Sequence, residues 1–150
     1  MGSDVFHQLY YHVVWTTKKR QAAITEAMRA SVEAEVAAAC RQHGGTTLAC
    51  YAMPDHVHLA VCLPPGEALV TFIGRVKGAS SHNIRAALSE EHAFGWQDGY
   101  GVVTFRKGEL DKVVRYVHDQ ERRHAERKTS RLLETTSQQE YTAISQTEAH

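Results

Sequence analysis

The clearest pattern along the chain is the alternation in His56-Val57-His58-Leu59-Ala60-Val61-Cys62-Leu63. Successive side chains of a strand point to opposite faces, so Val57, Leu59, Val61 and Leu63 form one apolar row that must meet a core. His56, His58, Ala60 and Cys62 then share the other face. Residues 6–16, β-branched and aromatic, predict an earlier strand. Residues 46–53 predict another, joined to the histidine strand by the Pro54-Asp55 turn, and residues 100–106 a fourth. Pro64-Pro65-Gly66 stops the histidine strand.

Helical spacing fills the intervals. Met28, Val32, Val36 and Cys40 recur every four residues, which predicts a helix from Thr25, as its N-cap, to His43, closed by Gly44-Gly45. Leu69, Phe72, Ile73, Val76 and Ser80 predict the inner face of a second helix over 67–88. Its Gly74 and Gly78 either weaken it or admit a close neighbour. After a loop over 89–99, a third helix is predicted from Glu109 to Lys128, with Leu110, Val113, Val114 and Val117 as its core stripe. The order β-α-β-β-α-β-α predicts an α+β fold: a ferredoxin-like split βαβ sandwich with an antiparallel sheet and an added C-terminal helix. Residues 1–128 read as one domain. Residues 129–150, rich in Ser, Thr, Gln and Glu, read as a flexible polar tail.

Composition narrows the class. There is no run of about 18 apolar residues to cross a membrane, and Met1-Gly2-Ser3-Asp4 lacks a signal-peptide pattern, so a cytoplasmic protein is expected. Cys40, Cys50 and Cys62 are odd in number and unclustered, which argues against a disulfide framework and a structural zinc site. The formal net charge is +0, so no uniformly basic surface is available for nucleic acid. Arg106 to Arg131 nevertheless carries nine Lys or Arg against five acidic residues, enough for a local basic surface.

Two features carry candidate chemistry. His56 and His58 present two imidazoles on one strand face, a pair that can hold a divalent cation or simply stand in solvent. On the third helix, Tyr116 and Gln120 are four apart and stack along the edge of the core stripe, facing the sheet without full burial. The Gln120 oxygen can complete a His-His-Gln set, with Asp119 as a second choice.

These segments resemble the HUH single-tyrosine transposases, a family that includes small insertion-sequence transposases and the REP-associated tyrosine transposases. Met53-Pro54-Asp55-His56-Val57-His58-Leu59 is similar to the family's His-hydrophobic-His motif, and Tyr116 with Gln120 to its nucleophile and third metal ligand. Tyr11-His12-Val13-Val14-Trp15, Lys77-Gly78-Ala79-Ser80-Ser81 and Trp96-Gln97-Asp98-Gly99-Tyr100 also agree, in order, across residues 6–124. Val102-Val103-Thr104-Phe105 departs from the aromatic-Ser-Val-Ser run often found there.

The resemblance implies Mg²⁺ or Mn²⁺ held by His56, His58 and Gln120, with Tyr116 attacking single-stranded DNA that folds into imperfect hairpins. The implied product is a 5′-phosphotyrosine and a free 3′-hydroxyl, reversible onto a new end. Insertion-sequence members are homodimers; REP-associated members are commonly monomers. Lys18, Lys19, Arg20, Arg75, Lys77, Arg106 and Lys107 are the candidate phosphate contacts, and Trp96 or Tyr100 could stack on bases or pack in the core. Three rival readings stay open: a catalytically silent, domesticated DNA-hairpin binding protein, a water-using phosphodiesterase, and a binding module without metal.

Overall fold

The histidine strand, β3 (His56–Cys62), pairs on both sides within a four-stranded antiparallel sheet in a computed structural model that describes residues 4–89 and 92–148. The strands β1 (Tyr10–Thr16), β2 (Thr46–Ala52), β3 and β4 (Gly101–Phe105) lie in the order β2-β3-β1-β4. This is the ferredoxin-like arrangement, with the two halves interleaved. Helices α1 (Arg29–Gln42) and α2 (Leu69–Ala87) pack on one face. There Val57, Leu59, Val61 and Leu63 meet Val13, Trp15, Val32, Val36, Phe72, Ile73 and Val76 in the main core. The alternation in β3 therefore divides as its sequence predicts. The other face receives α3 (Leu110–His118), whose Val113 and Val117 pack on Ala49, Ala60 and Phe105 in a smaller cluster. Among the described residues, no helix is long and apolar enough to cross a membrane.

The turn after α1 shows how tightly the main core is filled. Gly44 has φ +89°, a conformation that glycine adopts without a Cβ clash. Gly45 is needed for space: a Cβ there would stand 2.7 Å from Phe72 Cζ and 3.2 Å from Leu63 Cδ2. Gly45→Ala is expected to cost about 1–3 kcal/mol by forcing the buried Phe72 ring aside. Calorimetry should show this as a fall of several degrees in Tm.

Several expected boundaries move. The first strand begins at Tyr10 rather than residue 6, and Phe6 is 85% exposed. Thr25 is not an N-cap: α1 starts four residues later, after a turn closed by Met28 N donating to Thr25 O. Gly74 and Gly78 have no neighbour within 4 Å of a built Cβ, so they lie on the open side of α2. The single helix expected over 109–128 breaks at Asp119 (φ −104°, ψ 25°) into α3 and α4 (Gln120–Ala125). The tail expected to lack structure carries α5 (Arg131–Glu134) and α6 (Gln138–Glu148). Expectations for residues 1–3, Glu90-Glu91 and the last two residues lie outside the described residues.

Candidate metal centre and tyrosine site

Strand pairing brings the polar face together. Thr16 pairs with His56 and Val14 with His58, so His12, two residues earlier on the same face of β1, stands beside His58. His12 Nε2 and His58 Nδ1 are 2.9 Å apart, both rings almost fully buried. At the strand end, His56 Nδ1 lies 2.6 Å from Asp55 Oδ1. With Asp55 accepting that N–H, His56 Nε2 keeps a free lone pair, the tautomer a metal ligand requires. Arg20 sits 3.8 Å from the other Asp55 oxygen. The imidazole contact, outweighing the cost of burial, holds the Asp55 carboxyl below its usual range.

The tyrosine helix closes the site from above. Tyr116 is 4% exposed, its ring edge-on to those of His58 and His12, with the Arg123 guanidinium 4.8 Å over its face. Gln120 is fully buried: its Nε2 donates to Tyr116 O (2.8 Å), and its Oε1 lies 3.1 Å from His124 Nε2. Both are more deeply covered than helix spacing alone predicts, and Tyr116 is met by residues of the 130–135 segment. The Tyr116 hydroxyl donates to Glu134 Oε1 (2.7 Å) and accepts from Ser130 N (2.8 Å). Glu134 Oε2 reaches His58 Nε2 at 3.0 Å and His56 Nε2 at 3.5 Å.

The arrangement sets protonation states. Burial pushes the Tyr116 hydroxyl pKa well up, and the Glu134 carboxylate raises it further. Glu134 is pushed down to about 2: burial opposes this, but His58, the Tyr116 hydroxyl and His56 together outweigh it. Burial, reinforced by the neighbouring His58, lowers His12 to about 3. An unfolded His12 takes up a proton near pH 6.5 while the folded one does not. Its contribution to stability is thus complete above pH 6.5 and is lost as pH falls toward 3. Urea unfolding between pH 7.5 and 4.5 should show a loss approaching about 1.4 kcal/mol per pH unit from this group. His12→Asn is expected to flatten that limb.

The residues present fit a divalent cation. Among the described residues, both His56 Nε2 and His58 Nε2 are buried without a hydrogen-bond partner of good geometry, although Glu134 Oε2 lies near both. Ligand atoms of His56, His58, His124 and Glu134 lie within 4.8 Å of one another. Buried polar atoms without partners are rare, and two converging on one point are what an ion would satisfy.

Of the site residues read from the sequence, His56, His58, Tyr116 and Gln120 are brought together. The basic residues are not. Lys18, Lys19 and Arg20 form a turn just beyond the His56 end of β1, whereas Arg106 and Lys107 follow β4, whose Phe105 pairs with Tyr10 at the opposite end. Arg75 is exposed on α2. Lys77 is a latch: its Nζ donates to Gln97 O (2.7 Å) and Gly99 O (2.8 Å). Trp96 has a packing role, donating to Ser80 Oγ and lying edge-on to Trp15 and Phe94. Sequence reasoning missed His12, Asp55, His124 and Glu134 as members of the site. His124 had a signal, since it continues the Tyr116, Gln120 spacing by four more residues.

A ferredoxin-like sheet with paired imidazoles on the face that α3 covers, and a tyrosine presented to them by that helix, defines the class of single-tyrosine transposases. A family model for IS200-like transposases matches residues 5–120, and the chain belongs to that family. It is 27% identical over 124 residues to the ISDra2 transposase TnpA of Deinococcus radiodurans, covering 79% of this chain and 89% of the relative. A crystal structure of a Deinococcus radiodurans protein assigned as a transposase superposes with a TM-score of 0.64 at 24% identity, covering 80% of this chain and 96% of the other. A REP-associated tyrosine transposase, solved bound to a REP hairpin, shares the fold with a TM-score of 0.57 at 16% identity, covering 83% and 74%.

Proposed function

We propose that this transposase cuts and rejoins single-stranded DNA near imperfect hairpins through a 5′-phosphotyrosine on Tyr116. The observation that carries the proposal is that the Tyr116 hydroxyl and the two orphaned histidine nitrogens converge on the same carboxylate, Glu134. Nucleophile and candidate cation site are therefore within one side chain of each other. His56 and His58 would hold Mg²⁺ or Mn²⁺, with Gln120 as the third ligand that the family pattern gives. Such an ion, when bound, would withdraw charge from the scissile phosphate.

The chain's own residues do the rest. Asp55 and His12 fix the orientation of the two imidazoles. Arg123 and His58 hold the Tyr116 ring. Tyr116 Oη gives up its proton, forms a bond to phosphorus, and the 3′-oxygen leaves, taking a proton to become a free hydroxyl. The phosphotyrosine retains an ester bond, so a second strand's 3′-hydroxyl can reverse the step. Lys18, Lys19 and Arg20, nearest the His56 end, are the phosphate contacts we favour.

The burial of Tyr116 beneath residues 130–135 supports a second reading, the silent hairpin-binding protein. One experiment separates the two. Hairpin oligonucleotides from the gene's flanks are incubated with the protein and Mn²⁺ or Mg²⁺, then run on a denaturing gel. A metal-dependent covalent adduct supports the transposase. Tight binding without an adduct across several flanking sequences supports the silent protein, and cleavage without an adduct points to a hydrolase.

A further inference from the structure

We infer that Glu134, in the C-terminal segment, is itself a ligand of the divalent cation held by His56 and His58. The inference rests on the metal reading above and extends it to a residue outside the 5–120 span that the family model matches.

Three observations carry it. Ligand atoms around one octahedral ion with bonds of ~2.1 Å lie about 3 Å apart. Glu134 Oε2 stands 3.0 Å from His58 Nε2 and 3.5 Å from His56 Nε2, close to that spacing. Neither nitrogen is aligned to donate a hydrogen bond to it, although both are buried. Two imidazole nitrogens and a carboxylate oxygen thus converge within a few ångströms, as the ligands of an ion do. The remaining oxygen donor is also less free than spacing implies, since Gln120 Oε1 is shared with His124 Nε2.

Glu134 is held there by contacts that do not involve the ion. Its Oε1 accepts from Tyr116 Oη, and Ser130 N donates to that same hydroxyl oxygen. Ser130 Oγ accepts from Leu133 N at the start of α5, which fixes the helix that presents Glu134. Beyond it the chain presses on β4: a Cβ built on Gly101 would fall 1.8 Å from Thr135 O, so only glycine admits this approach. A carboxylate added to two imidazoles gives a mixed nitrogen and oxygen set suited to first-row divalent ions. It also links the ion to the nucleophile through one side chain.

The test uses the full-length protein and Co²⁺ alone, whose d–d absorption reports its ligands. Wild type, Glu134→Gln and His56→Ala are titrated with Co²⁺ by absorbance and calorimetry, after thermal unfolding confirms that each is folded. The expected result is one strong site in wild type. Glu134→Gln should weaken it at least tenfold and shift the d–d bands, and His56→Ala should weaken it further. If Glu134→Gln matches wild type in affinity and spectrum while His56→Ala loses the site, the inference falls and the histidine reading stands. Co²⁺ binding that is absent in wild type, or indifferent to His56→Ala, overturns both.

Discussion

Tyr116→Phe should abolish the covalent protein–DNA adduct and lower strand cleavage by on the order of 10⁴-fold or more, the scale of losing a nucleophile. Phenylalanine keeps the ring, so the packing against His12 and His58 and the Arg123 contact persist. What disappears is one oxygen with two bonds, one to Glu134 and one from Ser130 N. Losing them costs about 1–2 kcal/mol, a fall in Tm of only a few degrees for a chain of this length. The variant should therefore remain folded and still bind hairpin DNA. Denaturing gels give the adduct, and circular dichroism with a binding titration gives the control. Metal-dependent cleavage undiminished in Tyr116→Phe would remove tyrosine chemistry from the account.

His58→Ala carries the second large effect because His58 is both fully buried and central. Its Nδ1 meets His12, its Nε2 faces Glu134, and its ring packs on Tyr116. Loss of an ion's partner residues one step removed costs about 10–100-fold in affinity, so loss of a direct ligand should exceed about 100-fold for Mn²⁺. Truncation also leaves a cavity and an unpaired His12 Nε2, a destabilisation of about 2–4 kcal/mol. Mn²⁺ titration and urea unfolding read the two effects separately. A variant as stable as wild type that still binds Mn²⁺ with wild-type affinity would rule out His58 as a ligand.

How much of this was legible depended on whether the information was local. The β3 alternation stated which residues face the main core, and the structure divides the two faces that way, although the second face is also covered and carries Ala60 in the smaller cluster. The imidazole pair was legible for the same reason. The break at Asp119 was not, since Val113, Val117 and Gln120 keep helical spacing through it. The helices of the tail were not legible from composition: Ser, Thr, Gln and Glu signal disorder when nothing is known of their partners. What docks residues 130–135 is a backbone N–H on the Tyr116 hydroxyl, a carboxylate on two imidazoles, and the bare backbone of Gly101. Each of these joins residues 14 or more apart in the chain, and no window on the sequence contains both partners. His12 was hidden likewise, as its meaning comes from the register of β1 on β3.

The division of β3 into two faces also fixes how this site can change over generations. Valine and leucine answer to the fold at every second position, and the histidines answer to chemistry at the positions between. Substitutions at either set can be selected independently. A one-residue insertion or deletion within His56–Cys62 cannot, because it exchanges the two sets at a stroke, sending imidazoles into the main hydrocarbon core and leucine into the histidine site. The strand is thus locked in length though free in spelling. Descendants of this chain should vary there by exchange of letters and never by a change in their number.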